Sequence, residues 1–134
     1  MTFTAQLTAS TNVDYSTDFI GPTDFSLYGL WTFCRAFEDE SSSDIPPETA
    51  VRSACLWYIY AADRLWANVK NCRVFGGPEA REKDPSSGYN RKRWDTWKEH
   101  LEAAQTAYTD EETKKLIQDA LTHIKRVETG DLLV

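Results

Sequence analysis

This sequence predicts an all-α domain: a four-helix bundle-like body carrying an extended N-terminal arm. Three observations point there. Four segments repeat apolar residues every three or four positions, the period of a helix with one buried face. No segment alternates apolar and polar residues as a half-buried strand does. Breaks rich in Gly, Pro, Ser and Asp separate the periodic segments at Gly21-Pro22, Ser41 to Pro47 and Asp84 to Gly88. The chain of 134 residues makes one domain. At that length folding buries roughly two-thirds of the unfolded surface, so neither disulfides nor metal are required. The expected layout is an arm over 1–21, a helical domain over 22–129 and a tail over 130–134.

The arm is read from its composition. Thr, Ser, Asn and Asp dominate it, with Phe3, Leu7, Val13, Tyr15, Phe19 and Ile20 scattered and aperiodic. These apolar residues are available to pin the arm to the body or to a second copy. The first helix is expected over Asp24 to Glu38, with Thr23 or Asp24 as N-cap. Phe25, Tyr28, Trp31 (or Leu30) and Cys34 follow helical spacing, with Leu27, Phe33 and Phe37 beside them, and Gly29 lets another helix come close. Glu38 to Asp44 is an acidic, Ser-rich loop.

The second helix is expected from Pro47 to Lys70, since proline is tolerated in a first turn and Glu48 suits the positive end of the helix dipole. Its stripes, Val51-Ala54-Tyr58-Ala62-Leu65-Val69 and Leu56-Ile59-Tyr60-Trp66, leave little polar surface. A helix apolar on more than one face sits at the centre of its bundle. A long connection follows, from Asn71 to Tyr89. Asn90 is the expected N-cap of a third helix reaching about Tyr108, with Trp94, Trp97, Leu101, Ala104 and Tyr108 on one face. Thr109 and Glu112 have capping-box spacing, and a fourth helix carries Leu116, Ile117, Ala120, Leu121, Ile124 and Val127 until Gly130. The short link between these two helices implies an antiparallel hairpin.

Composition excludes several function classes. A net charge of −6 disfavours nucleic acid and anionic membrane as partners. No apolar run is long enough to span a bilayer, and the polar N-terminus lacks the pattern of a secretory signal. Cys34, Cys55 and Cys72 form neither a disulfide framework nor a zinc spacing, which leads to reduced thiols, a cytoplasmic location and no metal, and with no phosphate-cradling glycine loop or dinucleotide fingerprint no other cofactor is expected. Cys72, near a loop, is the more reactive thiol by position.

Two aromatic-rich blocks then stand out: Leu56-Trp57-Tyr58-Ile59-Tyr60-Ala61-Ala62-Asp63-Arg64-Leu65-Trp66, and Gly88-Tyr89 followed by Arg93-Trp94-Asp95-Thr96-Trp97-Lys98. Together with Phe25 to Trp31 upstream, they resemble a fungal family of uncharacterised helical proteins, a domain of unknown function, over about residues 23 to 127. The resemblance implies an intracellular helical protein and assigns no catalytic residue.

The candidate chemistry is sparse. Asp63 lies on the helix expected to be central. A carboxylate in apolar surroundings is a possible general acid or base, with Tyr60 as hydrogen-bond donor and Trp66, Trp94 and Trp97 as walls of a pocket for an apolar small molecule. The alternative pairs Asp63 with arginine, Arg91 or Arg93 among them, and packs the tryptophans as core. His100 is a further acid–base candidate. Arg91 and Arg93, at a helix N-terminus, suit an anion or a surface ion pair. With no reaction centre evident, the expectation is a non-catalytic interaction module forming a homo-oligomer. Its rival is a cofactor-free enzyme or binding protein built around Asp63.

Overall fold

The computed structural model describes residues 2–13, 15, 20–38, 47–75 and 88–132, with backbone alone at 47, 131 and 132. Among the described residues are five helices and no strand: α1 (Thr2–Ser10), α2 (Ser26–Phe37), α3 (Pro47–Lys70), α4 (Arg91–Ala104) and α5 (Glu111–Leu132). The all-α class is borne out. The acidic loop over 39–46, the middle of the long connection over 76–87 and the end of the tail over 133–134 lie outside the described residues.

α3 is the axis of the fold. It packs against α5, α1 and α2, and more lightly against α4. Ala54, Cys55, Trp57, Tyr58 and Leu65 lose all contact with solvent, as an element apolar around most of its circumference must. The helix bends at Ala61, where φ −136° and ψ 22° leave the helical region. α2 approaches it at Gly29: a Cβ there would stand 3.2 Å from the Trp57 ring and 3.0 Å from the Tyr89 hydroxyl, so the close approach expected of this glycine is present.

The core is largely aromatic. Phe33 lies 4.8 Å from both Tyr58 and Trp97, Trp94 meets Tyr58 edge-on at 5.6 Å, and Tyr89 meets Trp97 edge-on at 6.0 Å. Such geometries contribute about 0.5–1.5 kcal/mol each beyond their buried area. Two carboxylates anchor the indoles of α4. Glu38, closing α2, accepts from Trp97 Nε1 at 2.5 Å and from Arg93 Nη2 at 3.0 Å. Glu128 on α5 accepts from Trp94 Nε1 at 2.7 Å and from Lys98 Nζ at 2.9 Å.

The N-terminal segment departs from the expected extended form, because Thr2–Ser10 is helical. Ala5 and Thr8 are fully buried, and α1 packs on α3. Its anchors are mostly polar. Thr8 Oγ1 donates to Thr4 O and accepts from Phe25 N, both at 2.9 Å. Farther along, Arg64 donates to Thr11 O, and Tyr15 donates to Asn68 Oδ1 at 2.8 Å. A helix held by such bonds leaves no apolar stripe to read.

The helix ends differ in smaller ways. Asp24 accepts from Ser26 N at 3.1 Å, so its carboxylate caps α2 from just before the N-cap position, Phe25. Asn90 caps α4 through Arg93 N at 2.9 Å, as expected, but α4 stops at Ala104. At α5 the cap is Asp110, which accepts from Glu112 N at 2.8 Å and Thr113 N at 3.2 Å, in place of Thr109. Gly130 does not end α5, which runs on to Leu132.

Candidate functional site

The centre expected around Asp63 does not assemble. Its side chain is 80% exposed and pairs with Arg126 on α5 through two oxygens, at 3.1 and 3.3 Å. Facing solvent, it lacks the apolar surroundings that an acid–base role needed, and its partner is neither Arg91 nor Arg93. Tyr60 is 40% exposed. Trp66, Trp94 and Trp97 pack as core, with Trp66 5.0 Å from Trp94, so they wall no cavity at Asp63. His100 is exposed and meets Phe37 edge-on at 6.4 Å. Arg91 lies 5.1 Å over the Trp66 ring and bonds Asp95 at 3.0 Å, while Arg93 is taken up by Glu38 and by Gly88 O at 3.1 Å. The structure brings Arg91, Trp66 and Trp94 together, and Arg93 with Trp97, but leaves Asp63 paired with Arg126 and His100 against Phe37.

The cysteines hold no reactive centre in the core. Burial pushes the Cys55 thiol up to about 12 and Cys34 to about 11, the latter despite the adjacent Arg93 cation. Cys72 is exposed, at φ 48°. Among the described residues no cluster of His, Cys, Asp and Glu could hold a metal ion.

A buried ionic cluster ties the loop before α4 to the start of α2. Arg73 Nη2 donates to Asp24 Oδ2 at 2.5 Å, with both side chains at least nine-tenths enclosed. Ser26 Oγ donates to Asp24 Oδ1 at 2.7 Å, and Asn68 joins Ser26 to Arg73 at 3.1 and 3.3 Å. Burial alone would raise the Asp24 carboxyl. Arg73 and the Ser26 donors outweigh it and hold the group below its ordinary range. Arg73 O also accepts from Tyr89 N at 2.8 Å, and Tyr89 donates its hydroxyl to Ser26 O at 2.7 Å. The ions answer one another, so the cluster serves the fold and offers little to a ligand.

The feature that fits binding lies on the other side of α2. Phe25, Tyr28 and Trp31 form one wall of an open groove of about 400 Å³. Thr49, Ala50 and Ser53 from the start of α3, Thr4 of α1, and Thr32 and Arg35 of α2 complete the lining. Tyr28 and Trp31 are 52% and 54% exposed and stand edge-on at 5.2 Å. The volume falls in the range of about 300–1,000 Å³ typical of small-molecule sites. The apolar stripe Phe25-Tyr28-Trp31 is visible in the sequence, where it reads as a core face. The structure turns Tyr28 and Trp31 outward and leaves Phe25 partly buried against the core, because Leu30, Phe33 and Phe37 take the core.

The family model described as "Protein of unknown function (DUF3632)" matches residues 1–101. The chain belongs to this family. The match takes in α1, which the sequence had set aside as an arm, and stops within α4, short of α5. It therefore begins and ends earlier than the resemblance drawn over 23 to 127. Every residue of the groove falls inside it. No curated protein and no solved structure matches the chain. No helix among the described residues is long and apolar enough to cross a membrane.

Proposed function

We propose that this chain is a non-catalytic interaction module that binds through the groove between α1, α2 and α3. The observation that carries this reading is the pair of half-exposed rings, Tyr28 and Trp31, over a concave floor. Exposed aromatic surface beside a cavity is expensive in water and is relieved by an occupant. The lining supplies contact and hydrogen bonding but no acid–base pair or nucleophilic thiol: its residues are aromatic rings, hydroxyls, one alanine and one arginine. Trp31 is the test. The other four tryptophans are at most 7% exposed, so collisional quenching by acrylamide reports Trp31 almost alone. An occupant of the groove protects it, and unchanged quenching with every binder found would refute the reading.

Self-association belongs to the same proposal, on a separate surface. Phe3 on α1 is 72% exposed and lies outside the groove lining, and a second copy would cover it. Light scattering should show a dimer that Phe3→Ser converts to monomer. Deleting residues 1–21 is a poor substitute, because it would also strip Ala5 and Thr8 from the core. A cytoplasmic setting is part of the proposal and rests on the three free thiols.

A further inference from the structure

We infer that the groove selects a small aromatic carboxylate, with the ring against Tyr28 and Trp31 and the carboxylate on Arg35. The inference rests on reading the groove as the binding surface and names the chemistry of its occupant.

Charge bookkeeping singles out Arg35. In a chain with 21 acidic and 15 basic residues, arginines find carboxylates easily. Arg52 pairs with Glu112, Arg73 with Asp24, Arg91 with Asp95, Arg93 with Glu38 and Arg126 with Asp63. Arg64 donates to Thr11 O and Tyr15. Among the described residues Arg35 alone of the arginines makes no such bond, and it lies in the groove lining. Its place in the last turn of α2 suits a cation at the negative end of that helix. That accounts for the charge there but not for the aromatic wall beside it.

The hydroxyls follow the same pattern. Thr8, Thr32, Thr96 and Thr122 each donate to the carbonyl four residues back. Ser53, also mid-helix, makes no such bond among the described residues, nor do the hydroxyls of Thr4 and Thr49, and all three residues line the groove. The groove thus joins an apolar aromatic lining, a guanidinium that meets no carboxylate among the described residues, and hydroxyls able to donate to oxygen. A guanidinium prefers carboxylate geometry. Ring faces and edges at the Tyr28–Trp31 corner favour an aryl group over a flexible alkyl chain.

The test is calorimetric titration of the intact protein with 4-phenylbutyrate, its neutral amide 4-phenylbutyramide, and decanoate. We expect the arylcarboxylate to bind on the order of tenfold more tightly than the amide, the gain of one charge-assisted contact at a solvated site. Arg35→Gln should bring the carboxylate down to the amide's affinity and leave the amide unchanged, while Arg35→Lys restores part of the difference. Trp31→Ala should weaken both. Equal binding of acid and amide to the wild-type protein, or a preference that survives Arg35→Gln, overturns the inference while amide binding sensitive to Trp31→Ala upholds the groove. Tighter binding of decanoate than of 4-phenylbutyrate overturns the aromatic assignment. If none of the three binds, the inference and this use of the groove fall together. Arg35 and Trp31 are exposed, and unchanged thermal melts should confirm that the variants fold.

Discussion

Gly88→Ala should be strongly destabilising. A Cβ at residue 88 would lie 1.9 Å from Arg73 O and 2.7 Å from Val74 Cα, where ordinary contact begins near 3.4 Å. Both obstacles are backbone atoms, so no side chain can swing aside. The two strands of chain must separate by about 1.5 Å at the closest point, the difference between 3.4 and 1.9 Å. That movement strains the Tyr89 N to Arg73 O bond of 2.8 Å and carries Arg73 away from Asp24. Overpacking costs about 1–3 kcal/mol, a lost buried hydrogen bond about 1 kcal/mol, and disturbing a buried ion pair adds to both. The sum is about 3–4 kcal/mol. For a domain of this size each kcal/mol shifts the midpoint by roughly 3–4 °C, so Tm should fall by about 10 °C or more. Thermal unfolding followed by circular dichroism measures this, with the near-ultraviolet signal reporting the Tyr89–Trp97 packing. A Tm within about 2 °C of wild type, with that signal unchanged, would refute the close-approach argument.

Stability should fall with acid in a defined way. Glu38, Glu128 and Asp24 are each raised by burial but lowered more by their cationic and hydrogen-bond partners, so all three lie below their ordinary values in the folded state. Their stabilisation is complete above the unfolded values near 4.5 and 3.8 and is lost as pH drops through the lower folded values. Glu38→Gln should therefore flatten the acid limb of a Tm-versus-pH curve, and an unchanged limb would count against the Trp97–Arg93 anchor. The two buried tyrosines should respond oppositely to loss of the hydroxyl. Among the described residues Tyr58 Oη has no hydrogen-bond partner, so Tyr58→Phe should be neutral or stabilising, whereas Tyr89→Phe forfeits the bond to Ser26 O and should cost about 1 kcal/mol in urea unfolding. A maleimide at neutral pH should label Cys72 quickly, the half-buried Cys34 more slowly and Cys55 only on unfolding, and rapid labelling of Cys55 would contradict its burial.

Two sequence signals carried much of the fold. Helical periodicity located α2 through α5, because burying one face of a helix imprints a regular apolar stripe on the chain. Punctuation by Pro47 and Asn90 placed boundaries for reasons the structure repeats, such as the Asn90 cap, while the close approach at Gly88 came only with the structure. α1 escaped because its stability comes from Thr8, Thr11 and Tyr15 bonding to residues far along the chain, and such bonds have no period.

Local sequence determined that this protein is helical, that α3 is its axis and that its core is aromatic, since these follow from spacing and residue type alone. Tertiary structure decided which aromatic stripe of α2 would be left in water, which carboxylate each arginine would find, and that Asp63 would face Arg126. Those outcomes depend on the rotation of each helix about its own axis, which is fixed by the competition of all faces for one core and is not written in any single segment.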